Sequence, residues 1–110
     1  MKDILKNHPI VIDYIIVRER IGRLEGLIEI NVELISNHQL VIFEYYKEKQ
    51  VTDYRYQIVK EHGELLVRWD NTPHFPDIKT FPHHKHIQHR VVESVQPNLM
   101  EILEELTEIW

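Results

Sequence analysis

Gly26-Leu27-Ile28-Glu29-Ile30-Asn31-Val32-Glu33-Leu34-Ile35-Ser36 alternates branched apolar side chains with polar ones. Ile28, Ile30, Val32 and Leu34 fall on one side of an extended chain, with Glu29, Asn31 and Glu33 on the other. That period of two predicts a half-buried strand. Its neighbours follow the same rule. Upstream, Ile10 to Arg20 is β-branched and aromatic and reads as a strand, joined by a bend at Ile21-Gly22-Arg23-Leu24. Downstream, Ser36-Asn37-His38 reads as a turn, because Asn tolerates left-handed φ. Gln39 to Tyr46 is the next strand, and Lys47-Glu48-Lys49-Gln50 breaks it. Val51 to Glu61 and Glu64 to Asn71 are two more, joined at His62-Gly63. Strands linked by turns this short pair as an antiparallel meander.

The ends complete the fold. Residues 1–8 predict a short helical turn that tucks Ile4 and Leu5 onto the sheet and stops before Pro9. Ile87 to Val95 reads as a returning strand, which gives five to six strands in all. Asn98 is the expected N-cap of a closing helix, with Glu101 as its capping-box partner and Pro97 just outside. Leu99, Ile102, Leu103, Leu106 and Trp110 make one apolar stripe, and Glu101, Glu104, Glu105 and Glu108 take the solvent side. The expected fold class is α+β: an antiparallel meander with a C-terminal helix packed on one face.

At 110 residues and 43% hydrophobic content, the chain is a single domain spanning 1–110. It has no cysteine, which excludes disulfides and Cys-based zinc sites and suits a reducing cytoplasm. No signal peptide is visible. The longest apolar segment, Pro9 to Val17, is broken by Asp13 and is too short to span a membrane. The net charge of −5 is uneven: no acid falls between Ile78 and Val92, where Lys79, Lys85 and Arg90 sit among four histidines. Such a patch attracts phosphate or carboxylate, or is ordinary solvated surface.

The chemistry concentrates between Arg68 and Arg90. Five of the eight histidines lie between His74 and His89, and Pro73, Pro76 and Pro82 predict a stiff loop there. Arg68 and Asp70 share one face at a strand end. They form a structural salt bridge, or else Arg68 grips a phosphate or carboxylate with its planar fork while Asp70 orients a histidine or a metal. His74 follows four residues after Asp70. In an extended segment His84 and His86 face one way and His83 the other. His84-Lys85-His86 is therefore a His-x-His unit. With His74 or Asp70 as third ligand it can hold zinc or manganese. The metal-free alternative is acid–base chemistry by two imidazoles, with Arg68 or Lys85 steadying developing charge, as cleavage of RNA through its own 2′-hydroxyl requires. The bland alternative is a histidine-rich loop with no site. Arg55 and Lys85 are the further candidates for contacting substrate. Glu44, on a face with Leu40 and Ile42, is expected to lie at a sheet edge, to pair with Arg55 or Arg68, or to act as a base. Asn71 reads as a turn residue bonding its own backbone. His8, His38, His62 and His89 look incidental.

Several of these pieces resemble the TumE family. They are Tyr54-Arg55-Tyr56-Gln57, the turn at Gly63, Leu66 through Asp70-Asn71-Thr72-Pro73-His74, and Thr80-Phe81-Pro82-His83-His84-Lys85-His86. Leu40 to Tyr45 and Leu99 to Leu103 carry the resemblance more weakly, so that it spans roughly residues 24–106. The family comprises small toxin components of bacterial and archaeal type II toxin–antitoxin systems. The resemblance implies a cytoplasmic protein encoded beside a small cognate antitoxin. It assigns no role to any histidine. The leading reading is a toxin acting on RNA or another phosphate-bearing target through Arg68, Asp70, His74, His84 and His86. The expected partners are the antitoxin, RNA and a second copy of the chain, with no membrane. The competing readings are a non-catalytic metal- or ligand-binding domain and a protein-interaction module.

Overall fold

The computed structural model describes residues 1–109. A single antiparallel sheet holds seven strands in sequence order: β1 Val11–Arg20, β2 Glu25–Leu34, β3 His38–Lys47, β4 Gln50–Val59, β5 Leu65–Asp70, β6 His84–Ile87 and β7 Arg90–Glu93. Helix α1 (Lys2–Asn7) precedes it and α2 (Leu99–Ile109) follows. The α+β meander with a helix on one face is as expected. The strand count is higher because the histidine-rich segment is not loop throughout. His84–Ile87 joins the sheet, and what reads as one strand from Ile87 to Val95 is split by a hairpin turn at Gln88 and His89, both at positive φ.

The turns carry the left-handed residues the sequence suggests: Asn37 (with Ser36) after β2, and His62 with Gly63 after β4. Glu48 and Lys49 turn the β3–β4 hairpin in the same region although neither is a glycine. Gly26 is required for a different reason. It pairs with Tyr46 across β2–β3, and a Cβ there would sit 2.5 Å from the Tyr46 hydroxyl oxygen and 2.4 Å from the Arg20 carbonyl.

One face of the sheet carries the core. Ile30, Val32, Leu34, Leu40, Ile42 and Ile58 are buried there, and α2 lays Ile102, Leu103 and Leu106 on them. Leu5 of α1 closes one end. The Trp110 position of the stripe lies outside the described residues. The capping box forms in full: the Asn98 side chain accepts from the Glu101 N–H at 2.8 Å, and the Glu101 carboxylate accepts from the Asn98 N–H at 3.0 Å. Asn98→Ala is therefore expected to cost about 1 kcal/mol, read as a lower urea midpoint. An unchanged midpoint would mean that packing alone holds α2.

Edge strand β1 is bulged at Ile12 and Val17. Bulges twist an edge and discourage pairing with another sheet.

Candidate functional site

The register of the sheet builds the site. On the face away from α2, one row runs straight across the strands: Glu29, Phe43, Arg55, Asp70, His84 and Glu93. The adjacent row places Arg68 beside His86. The same-face positions at the end of β5 and the start of β6 thus bring Asp70, His84, His86 and Arg68 to one corner.

Asp70 is the hub. Its Oδ1 accepts hydrogen bonds from the Thr72 N–H at 3.0 Å and the Thr72 hydroxyl at 2.7 Å. The same oxygen lies 2.9 Å from His84 Nε2, while Oδ2 lies 3.3 Å from His86 Nε2 and 3.3 Å from Arg68 Nε. His84 is 1% exposed. Its Nδ1 lies 2.9 Å from the Pro82 carbonyl, which can only accept, so Nδ1 carries the hydrogen and a neutral ring has its lone pair on Nε2. That Nε2 is buried without a hydrogen-bond partner among the described residues, as is Arg68 Nε, because neither points at the carboxylate in hydrogen-bonding geometry. Ligand atoms of Asp70, His84 and His86 all lie within 4.8 Å of one another. Two imidazoles and one carboxylate, one nitrogen orphaned and aimed inward, are a fit donor set for a divalent metal.

Burial pulls the Asp70 carboxyl upward, but the two Thr72 bonds and the neighbouring His84 and His86 outweigh it and hold Asp70 below the ordinary carboxylate value of 3.8. Burial, then the Arg68 charge, hold His86 below its ordinary 6.5 against the opposing pull of Asp70. Protonation of His86 accordingly favours the unfolded chain. Its contribution to stability is complete above pH 6.5 and is lost as pH falls through the lowered value. The Asp70 contribution is complete above pH 3.8 and is lost at still lower pH. Urea midpoints of metal-free protein are expected to decline below pH 6.5 in those two stages, and a midpoint that rose on acidification would contradict the arrangement.

The other candidates are placed as follows. Arg55 is exposed, with its guanidinium 5.6 Å from the Phe43 ring centre. Arg55, Arg68, Asp70 and His74 together line an open cleft of about 600 Å³. His74 is exposed at its rim and is not in the Asp70–His84–His86 group. Lys85 is not brought to the site. Strand alternation turns it to the α2 face, where Nζ bonds Glu105 at 2.7 and 2.8 Å and lies 5.0 Å from the Trp69 ring centre. Glu44 pairs with neither arginine, since both stand on the opposite face; it accepts from the Tyr56 hydroxyl. Asn71 does not bond its own backbone. It extends the β4–β5 ladder past its last pair, accepting from the Tyr54 N–H and donating to the Thr52 carbonyl. His83 turns away to Tyr54, 3.0 Å from its hydroxyl.

Two site residues escape sequence reading. Phe75 packs edge-on against His84 and His86, with ring centres 4.9 and 5.8 Å away, and walls the imidazoles from water. Nothing in a proline-rich loop singles it out. Thr72 has a partial signal: an aspartate at a strand end tends to accept from the backbone N–H two residues on, an Asx turn, and the Thr72 hydroxyl adds a second bond to it.

The model of the family described as Toxin TumE matches residues 1–110. No curated protein matches, and neither does any solved structure. The match covers the first 23 residues as well, which the motifs alone do not reach.

Proposed function

The chain belongs to the TumE toxin family, and from that premise we propose that it is the toxin of a type II toxin–antitoxin pair, acting in the cytoplasm on phosphodiester bonds of RNA. The observation that carries the reading is the orphaned, buried Nε2 of His84 facing Asp70 and His86. These three side chains would hold a divalent ion such as zinc or manganese, which polarises a phosphoryl oxygen when bound. Arg68 is about one-third exposed, at 34%, and offers its remaining guanidinium N–H groups to phosphate in the cleft. His74 lines the same cleft and would contact the substrate there. Lys85 has no part in this scheme.

A metal-free variant of the same reading has one observation in its favour. His86 is kept neutral at neutral pH and so can take a proton. Elemental analysis of untagged protein separates the two. The toxin reading predicts growth arrest on expression, relieved by His86→Ala in a variant that stays folded, with RNA cleaved by the parent protein. A folded His86→Ala variant that still arrests growth would remove the site, and intact RNA would remove the reaction.

Family membership implies a cognate antitoxin. We place its contact on β1, where Ile12, Ile15 and Val17 are 59%, 66% and 51% exposed. Ile15→Asp is expected to leave growth arrest intact and to abolish its neutralisation by the co-expressed antitoxin. Full neutralisation would move the contact elsewhere.

A further inference from the structure

The row that holds the Asp70–His84 pair also passes through an aromatic patch two strands away, at Phe43. Phe43 and Tyr45 are two residues apart in β3, so both rings stand on the open face, roughly 7 Å apart along the strand. Phe43 pairs in register with Arg55, and Arg55 pairs with Asp70. Phe43 is thus about two strand spacings, ~10 Å, from the metal-binding corner, in one continuous cleft lined also by Arg68 and Asp70.

From this placement, and resting on the reading of the Asp70 corner given above, we infer that Phe43 and Tyr45 form a base-stacking platform that selects single-stranded RNA. Aromatic rings on a sheet face stack bases of any sequence. The Arg55 guanidinium lies over the Phe43 ring, 5.6 Å from its centre, so an incoming base stacks on that guanidinium or displaces it toward the phosphate. The spacing sets the strandedness. Bases in a duplex strand rise about 3.4 Å each, so rings ~7 Å apart engage neighbouring bases only when these are splayed. A strand lying across the sheet then carries its phosphate past Arg55 and Arg68 to Asp70. The two acids of the cleft, Asp53 and Asp70, offset the two arginines, which leaves stacking rather than net charge as the main source of affinity.

The test is fluorescence anisotropy with a labelled 2′-O-methyl oligouridylate of about ten nucleotides, within the span of one such site. The methyl group blocks cleavage through the 2′-hydroxyl. Phe43→Ala and Phe43→Leu are expected to weaken binding about tenfold or more, and Phe43→Trp to retain it. The metal content of all three should match the parent. Leu keeps apolar packing without the ring, so loss in Leu with retention in Trp separates stacking from a structural role. Equal binding by Ala, Leu and Trp variants overturns the platform, as does a duplex that binds as tightly as the single strand. Parent protein that holds metal and needs His86 for arrest, yet ignores the strand, overturns the platform alone. Ring-dependent binding by a protein that holds no metal supports the platform and removes the metal reading instead.

Discussion

Asp70→Asn is expected to give a folded protein that no longer arrests growth, whereas Asp70→Ala is expected to lose function together with about 3–5 kcal/mol of stability. The difference follows from what surrounds the carboxylate. Its side chain is 5% exposed, and it holds the two Thr72 donors on Oδ1 and faces Arg68 and His86 through Oδ2. Asparagine keeps one oxygen for Thr72 and turns an amide toward His86, which as a neutral ring can accept from it. The fold therefore keeps most of its bonds. The charge is gone, and a neutral amide is a much weaker metal ligand than a carboxylate. Both substitutions leave Arg68 without its counter-charge; alanine in addition strips the Thr72 N–H and hydroxyl of their acceptor and leaves His86 no partner there, and that combined loss is the costly way to break such a cluster. Urea midpoints and growth on induction read the two effects separately. Undiminished arrest by Asp70→Asn would remove Asp70 from the chemistry.

How much of this was legible depends on the kind of pattern involved. The strands of the meander announce themselves because one face is buried and the other wet, so Ile28 to Leu34 alternates and its neighbours follow. The capping box at Asn98 and Glu101 is local and was readable in full. Strand β6 was hidden for a physical reason. It is four residues long, sits next to Pro82, and carries imidazoles and a lysine where a strand signal would show valine or isoleucine. Two of its positions, His84 and His86, are polar and face Asp70, so the hydrophobic pattern that would have revealed the strand is missing. The shared face of His84 and His86 is legible in an extended segment; the choice of Asp70 over His74 as their neighbour is not, because it depends on the β5–β6 register. The face of Lys85 is not legible from its charge alone. Its alternation with His84 and His86 sends it to α2, where the Glu105 carboxylate waits. Glu44 failed similarly: it lies on the core face with Ile42, and its partner there is Tyr56 rather than an arginine on the other side of the sheet.

Zinc at a hundred times its dissociation constant is expected to stabilise the folded protein by about 2.7 kcal/mol, roughly a 10 °C rise in Tm for a domain of this size. Manganese should give less at equal concentration, because imidazole-rich sites favour zinc in the usual affinity order. The stabilisation arises only if the folded chain binds more tightly than the unfolded one, which here means a preformed site rather than scattered histidines. Lys85→Ala is the control: it breaks the Glu105 pair and removes a cation on the other face of the sheet, so the zinc-induced shift should persist. His84→Ala and His86→Ala each remove one of the three candidate ligands and should abolish it. Acid should erase it as well, with a defined sign. Because burial and the Arg68 charge hold His86 below 6.5, its lone pair is more available to a metal at neutral pH than in acid. The zinc shift should thus shrink as pH falls. A shift that survives His86→Ala unchanged would place the ion on other histidines, and the chemistry of the Asp70 corner would then fall to its imidazoles alone.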